Sequence, residues 1–213
     1  MRRHSIILVG GGGHCRACIE VIESEGRFTF AGIVDRPERR GERVLGYEVV
    51  GCDDELAKLV GRWKNALVTV GSIGATSSRA RLFDLLLSRG AALPTIVARS
   101  AVVSRHAFLA EGTIVMHRAV VNAGARIGRN CIINTASLVE HDARIDDNCH
   151  ISTGAIVNGD CRLGRNVFLG SNAVLRNGVS VCADAVIGAG TVVVRSLEVP
   201  GTYVGVPGRL LSG

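Results

Sequence analysis

A six-residue period in the second half of the chain constrains the fold more than any other feature. From Val97 to Val193 every sixth residue is aliphatic, and four residues after each of them, as far as Thr191, lies a small or β-branched residue. A strand this short cannot bury its aliphatic side chain alone and must stack on copies of itself, so the period predicts a parallel β-helix. Three hexapeptides form one triangular coil, which places residues eighteen apart one above the other at roughly 4.8 Å.

Residues 1–96 have a different pattern, in which apolar strands alternate with helical stretches. Strands are predicted at residues 5–9, 29–34, 66–70 and 92–96, and helices at residues 15–24, 54–60 and 76–88. This order predicts a Rossmann-like α/β domain with a small parallel sheet. We therefore expect two domains, residues 1–96 and a left-handed β-helix with a closing tail at residues 97–213.

Composition and charge narrow the possible partners. The formal charge is +6, but the basic residues are scattered and nearly all arginine, which favours a small anionic ligand over nucleic acid. There are 7 cysteines, and the first apolar run, residues 6–9, is too short for a signal peptide. No stretch reaches the roughly 20 apolar residues of a membrane span. We expect a cytoplasmic protein that is not embedded in a membrane.

Three segments carry a resemblance to a known family: residues 7–14, residues 133–142 and residues 204–208. They resemble the hexapeptide-repeat sugar acetyltransferases, and within these the subfamily that N-acetylates UDP-4-amino sugars or O-acetylates sialic acid. The resemblance implies a left-handed β-helix, acetyl-CoA as the acyl donor and a homotrimer with active sites between subunits. The implied activity is N-acetylation of a nucleotide-linked, UDP-linked amino sugar. O-acetylation of sialic acid or another sugar hydroxyl remains the alternative.

Acetyl transfer to an amine needs a base for the proton and a donor for the thioester oxygen. His141 occupies the third place of its hexapeptide, away from the inward-facing places, so its imidazole should point outward and act as the base. The adjacent Asp142 should orient that imidazole. Gly159 lies one coil further on the same face, and the resemblance assigns its N–H to the thioester oxygen.

The resemblance also implies roles for residues elsewhere. It places His150 near the acetyl group, Asn134 near the sugar, and Gly190, Val206 and Pro207 near the cofactor. In the N-terminal half, a glycine-rich turn after the first strand resembles a phosphate-binding loop that leads into a helix. The substrate residues implied there are Gly12, His14, Asp35 and Gly71.

Two other classes of protein share parts of this pattern. A β-helical carbonic anhydrase needs three zinc histidines, two of them a few residues apart, and the separations of 24 and 9 residues between His117, His141 and His150 are not suitable. A scaffold or regulatory sugar-nucleotide binder would keep the hexapeptide core without needing residues 134–142. Cys15 and Cys18 have the spacing of metal ligands, but no second pair follows, so we expect no metal.

Overall fold

The computed structural model describes residues 4–71 and 78–212, and the chain divides into two compact units. The first unit comprises the described residues 4–71 and 78–99. The second comprises residues 100–212. The predicted helix start at Thr76 lies outside the described residues.

A mostly parallel sheet forms the centre of the first unit, with strand order β3-β4-β2-β1-β5. Its apolar strands pack against amphipathic helices, and Ile7, Val34 and Leu67 are fully buried. The elements are β1 (His4–Val9), α1 (Gly13–Glu25), β2 (Phe28–Val34), β3 (Arg43–Val44), β4 (Tyr47–Gly51), α2 (Leu56–Trp63), β5 (Asn65–Val68), α3 (Ser78–Ser88) and β6 (Ile96–Val97).

The sheet departs from the sequence prediction at its edges. The β3–β4 hairpin was not predicted; its two turn residues, Leu45 and Gly46, have φ of 48° and 87°, as a tight hairpin turn requires. Strand β5 ends at Val68 rather than at Val70. The expected strand at residues 92–96 is reduced to one bridge between Asn65 and Ala92, followed by β6.

The second unit is a triangular parallel β-helix with three sheets, which we call sheets I, II and III. Sheet I contains β9 (Ile114–Val115), β12 (Ile132–Ile133), β15 (His150–Ile151), β18 (Phe168–Leu169), β21 (Val186–Ile187), β23 (Thr202–Val204) and β24 (Arg209–Ser212). Sheet II contains β7 (Val102–Val103), β10 (Val120–Val121), β13 (Leu138–Val139), β16 (Ile156–Val157), β19 (Val174–Leu175) and β22 (Val192–Val193). Sheet III contains β8 (Phe108–Leu109), β11 (Arg126–Ile127), β14 (Arg144–Ile145), β17 (Arg162–Leu163) and β20 (Ser180–Val181).

From β7 to β22, the strands of each sheet pair in parallel between residues eighteen apart, for example Val121 with Val139 and Ile127 with Ile145. The aliphatic residue of every hexapeptide from Val115 to Val193 points inward and is at most 2% exposed. Burying each one stabilises the fold by about 1.5–3 kcal/mol. The small places from Thr113 to Thr191 are buried as well, and they include Cys131, Cys149 and Cys161.

The corners of the β-helix have a six-residue register of their own. Every sixth residue from Gly112 to Gly190 has a positive φ, and nearly all of them are glycine, asparagine or aspartate. These residue types enter the left-handed region at the least cost. Arg118 and Ala136 are the exceptions, with φ of 59° and 56°.

The C-terminal end of the β-helix is covered by an antiparallel hairpin of β23 and β24. Tyr203 is buried there, and its hydroxyl donates to the carbonyl oxygen of Val199 at 2.7 Å. The backbone N–H of Gly208 donates to the carbonyl of Val192 at 2.8 Å, which ties the tail to the last coil.

Among the helices of the described residues, none combines the length and the apolar character that crossing a membrane demands.

Candidate functional site

His141 lies in the corner that connects β13 of sheet II to β14 of sheet III. Its side chain projects away from the core and is 57% exposed, as the hexapeptide register predicts. The side-chain carboxylate of Glu140 accepts the His141 backbone N–H at 3.3 Å and the Asn122 side-chain amide at 2.8 Å. The corner is therefore held by a carboxylate while the imidazole stays accessible.

Asp142 contacts the imidazole directly, with 3.0 Å between Asp142 Oδ2 and His141 Nδ1. Asp142 has a φ of 60° and occupies the left-handed place of its corner. Its other oxygen, Oδ1, lies over Gly124 one coil away, where an added Cβ would be only 2.3 Å from it. The fold therefore explains both why aspartate suits this place and why the residue beneath it is glycine.

Gly159, one coil further toward the C-terminus, lies directly against the imidazole. A Cβ at Gly159 would be 2.7 Å from both Cε1 and Nε2 of His141, so only glycine leaves room for the ring in this position. Gly159 is buried, and among the described residues its N–H donates to no other backbone group. This N–H can therefore donate to an incoming acceptor.

The electrostatics of this corner favour the imidazolium. The hydrogen bond to Asp142 is the largest effect on His141 and raises its pKa above the ordinary value, partial desolvation opposes it, and the charges of Asp142, Asp160 and Glu140 add to the increase. Because Asp142 accepts the Nδ1 proton, Nε2 carries the lone pair of the neutral ring. That nitrogen faces the space above Gly159 and can accept a proton there.

Asn134 and His150 form a second cluster, with 3.1 Å between Asn134 Nδ2 and His150 Nε2. His150 is 8% exposed and makes an edge-on contact with Phe168, whose ring centre is 5.3 Å away. Asn134 lies in the corner between sheets I and II, whereas His141 lies in the corner between sheets II and III. One chain therefore does not bring this cluster to His141, because sheet II lies between the two corners.

The remaining β-helix candidates lie toward the C-terminal end. Gly190 has a φ of 67° and occupies the left-handed place of the last corner between sheets I and II. Val206 is 73% exposed, and Pro207 lines a cavity of about 270 Å³ with Arg195, Leu197 and other residues of the tail.

In the first unit, Asp35 lies at the carboxyl end of β2 and binds the turn that follows β1. Its Oδ2 accepts the backbone N–H of Gly11 at 2.8 Å and pairs with Arg39 at 2.5 Å, while Oδ1 accepts the N–H of Arg36. Asp35 lines a cavity of about 460 Å³ at the carboxyl ends of the parallel strands. Ligands of open α/β sheets bind at this edge.

The glycine-rich turn contributes differently from the sequence prediction. Gly10 lines the cavity, whereas Gly12 is the N-cap of α1 and does not. An added Cβ at Gly12 would meet no heavy atom within 4 Å. His14 and Gly71 lie side by side, at 3.5 Å between the His14 Cβ and a Cβ built on Gly71, and neither lines the cavity.

Sequence reasoning missed several charged residues of this cavity: Arg36, Asp53, Asp54 and Arg81. Asp53 and Asp54 follow β4, and this strand of the unpredicted hairpin brings them to the cavity. The signal was the pair Leu45-Gly46 between two apolar residues, which is suited to a two-residue turn. Arg79 was also missed; it is 1% exposed, and its Nη1 donates to the carbonyls of Val68 and Val70.

The cysteines have the character of core residues. Burial raises the pKa of Cys15 to about 11 and that of Cys18 further, so both thiols stay protonated at neutral pH. Within residues 4–71 and 78–212, no three His, Cys, Asp or Glu side chains are grouped as metal ligands would be.

Two family models match the chain, one in each unit. The PglD N-terminal domain matches residues 5–86, and the bacterial transferase hexapeptide of six repeats matches residues 160–195. A comparison with curated protein sequences found no match.

Solved structures match over nearly the whole chain. A histidine-to-asparagine variant of perosamine N-acetyltransferase from Caulobacter crescentus, in complex with CoA and GDP-perosamine, is 34% identical with a TM-score of 0.92, covering 98% of this chain and 97% of that one. The acetyltransferase domain of PglB from Neisseria gonorrhoeae FA1090 is 29% identical with a TM-score of 0.91, covering 98% and 100%. WeeI from Acinetobacter baumannii AYE, at 21% identity and a TM-score of 0.82, supports the fold alone.

These likenesses confirm the resemblance seen in the sequence and the architecture of an α/β domain followed by a left-handed parallel β-helix. The family models match both units, and the perosamine enzyme is 34% identical over almost its full length. This chain belongs to the left-handed β-helix family of sugar N-acetyltransferases and is an acyltransferase.

Proposed function

We propose that this protein transfers the acetyl group of acetyl-CoA to the amine of a nucleotide-linked, UDP-linked amino-deoxy sugar, with His141 as the general base. The observation that carries the proposal is the stack at one corner of the β-helix. There the imidazole is bound to Asp142 on Nδ1 and lies against the glycine of the next coil on Nε2.

The chemistry follows from this geometry. With its Nδ1 proton bound to Asp142, neutral His141 presents Nε2 to the sugar amine and takes a proton as the amine attacks the thioester carbon. The N–H of Gly159, the glycine that packs against the ring, donates to the thioester oxygen as negative charge develops there. Asp142 stabilises the imidazolium that forms. The proton can then pass to the departing thiolate of CoA.

The separation of Asn134 and His150 from His141 supports an active site built from two subunits. The outward residues of sheet II are aliphatic on every strand, and Val102 at one end is 62% exposed. A continuous apolar face of this kind favours self-association. We propose a homotrimer packed through sheet II, which brings the Asn134 corner of one subunit to the His141 corner of the next, with Gly190, Val206 and Pro207 beside the cofactor.

The cavity of the first unit supports a nucleotide-linked acceptor. Asp35 and the turn at Gly10 line a space at the sheet edge where ribose hydroxyls and base N–H groups find acceptors. The resemblance to UDP-4-amino-sugar acetyltransferases supports uridine, while the relative from Caulobacter crescentus is bound to GDP-perosamine. The first assay therefore compares amino sugars that carry different nucleobases.

The test is acetyl-CoA-dependent thiol release across UDP-, GDP- and dTDP-linked amino sugars and free sialic acids. We expect turnover of a UDP-linked amino sugar, and its loss in His141→Ala with the oligomer intact. Turnover of sialic acid alone would replace N-acetylation by O-acetylation, and near-normal activity of His141→Ala would remove this residue from the base role.

The subunit arrangement is tested with Val174→Asp, which puts a charge on the apolar face of sheet II. We expect monomers in analytical ultracentrifugation and loss of turnover. The matched control is Leu45→Asp, which puts the same charge on an apolar residue that is 53% exposed in the β3–β4 turn, and this variant should stay trimeric and active. A trimeric, active Val174→Asp variant would contradict packing through sheet II.

A further inference from the structure

Three arginines form a ladder on the outer face of sheet III. Arg126, Arg144 and Arg162 occupy the outward place of three successive strands and pair in register, Arg126 with Arg144 and Arg144 with Arg162. All three are exposed. Neighbouring strands are roughly 4.8 Å apart, so the three side chains start from one short column.

This column places like charges directly opposite each other, which destabilises a sheet. The ion pairs of the described residues include none with Arg126, Arg144 or Arg162. The neighbouring corner is built in the opposite way, because Arg129 is paired at 2.8 Å with Asp147, the residue one coil above it. The arginines of the ladder have another arginine, and not a carboxylate, at the same place one coil away.

The arginines of the ladder line two open cavities, where their guanidinium groups can bind a phosphate-bearing ligand. A cavity of about 230 Å³ is lined by Arg126 and Arg144, with Phe108 beneath them. The Arg126 guanidinium lies over the Phe108 ring at 5.4 Å, which holds one guanidinium in place. A second cavity, of about 580 Å³, is lined by Arg144 and Arg162. Among the described residues, the carboxylates that border these cavities are Asp146 in both, Asp147 in the first, where Arg129 pairs with it, and Glu198 in the second.

The middle arginine of the ladder lies next to the catalytic corner, since Arg144 follows His141 by three residues. Their Cα atoms are therefore at most about 10 Å apart. In a nucleotide-linked sugar the diphosphate is attached directly to the ring that bears the amine. In acetyl-CoA the whole pantetheine arm separates the thioester from the diphosphate. An anion beside Arg144 with the reaction at His141 fits the first of these distances better.

We infer that the ladder of Arg126, Arg144 and Arg162 binds the diphosphate group of the nucleotide-sugar substrate while its amine is held at His141. This inference rests on the proposed function. Guanidinium groups suit the task because they donate two parallel hydrogen bonds to phosphate oxygens.

Steady-state kinetics of Arg144→Gln tests the inference on the full-length enzyme. Losing a charge-assisted hydrogen bond should raise the KM for the nucleotide sugar roughly tenfold to a hundredfold. The KM for acetyl-CoA and the kcat should stay within about twofold, and Arg144→Lys should fall between wild type and Arg144→Gln. The matched control is Arg165→Gln, an exposed arginine outside the ladder, which should behave as wild type.

Other results would overturn the inference. A rise in the KM for acetyl-CoA alone would assign the ladder to the diphosphate of CoA instead. Unchanged KM values for both substrates would show that the ladder binds neither.

A binding measurement separates this inference from the proposed function. Inorganic pyrophosphate should raise the melting temperature of wild type and not that of the Arg126→Gln/Arg144→Gln variant. Without pyrophosphate the variant should melt at or above the wild-type temperature, because it has lost like-charge contacts. Equal shifts in the two proteins would refute the ladder as a phosphate site, whether or not an amino sugar is turned over.

Discussion

Replacing Gly159 by alanine tests the proposed active site at its tightest contact. The new Cβ would lie 2.7 Å from Cε1 and Nε2 of His141. The ring has to move by roughly 0.8 Å to restore ordinary van der Waals separation. A displacement of this size at a reacting group costs on the order of a hundredfold in rate, so we expect kcat to fall roughly 10- to 100-fold.

The same substitution should leave the fold nearly intact. Gly159 is absent from the positive-φ positions, so alanine is compatible with its backbone, and the His141 side chain is 57% exposed and free to move. We expect the free energy of unfolding to change by about 0.5 kcal/mol or less. Alanine keeps the backbone N–H, so a loss of rate cannot be attributed to a missing oxyanion donor.

The assay is thiol release at saturating substrates, combined with urea unfolding of the same preparations. Gly61→Ala is the control for a glycine-to-alanine change, because its Cβ would meet nothing within 4 Å in the interior of α2. In the His141→Ala background, Gly159→Ala should have no further effect, since both changes act through one ring. Wild-type kcat in the Gly159→Ala enzyme, or additive effects in the double variant, would refute the reasoning.

Three further outcomes follow from the structure. In Asp142→Asn the His141 pKa should fall, because a neutral amide replaces the carboxylate that stabilises the imidazolium. Neutral His141 is the active form, and activity is lost as pH drops through its raised pKa. In a pH profile of kcat/KM the variant should therefore keep its activity to lower pH, at a reduced kcat. Asp35→Ala should raise the KM for the nucleotide sugar about tenfold and leave the KM for acetyl-CoA unchanged in the same assay. Ala136→Gly should raise the free energy of unfolding by about 0.5 kcal/mol, because glycine adopts the φ of 56° at this place without strain. The control Ala143→Gly, at a buried place of ordinary φ, should lower the free energy of unfolding, and urea unfolding measures both.

The contacts of the β-helix could be predicted from the sequence more completely than those of the first unit, for a physical reason. In the β-helix, contacts between coils have one constant sequence separation of eighteen residues. The Asp142 contact with Gly124 and the His141 contact with Gly159 follow from it directly. In the first unit, strand partners are separated by irregular distances along the chain. The β3–β4 hairpin was therefore missed, and Asp53 and Asp54 were missed with it.

The sequence by itself determined the β-helix, the inward side chains, the outward place of His141 and the identity of the residue that packs against it. It did so because each hexapeptide repeats the same local geometry, so that periodicity alone specifies depth and stacking. Only the tertiary structure decided which corner each candidate occupies. It separated Asn134 and His150 from His141, and it showed that the arginines of sheet III lack the carboxylate that Arg129 has. These properties depend on which outward-facing side chains approach each other, and a residue's position in a repeat does not specify that.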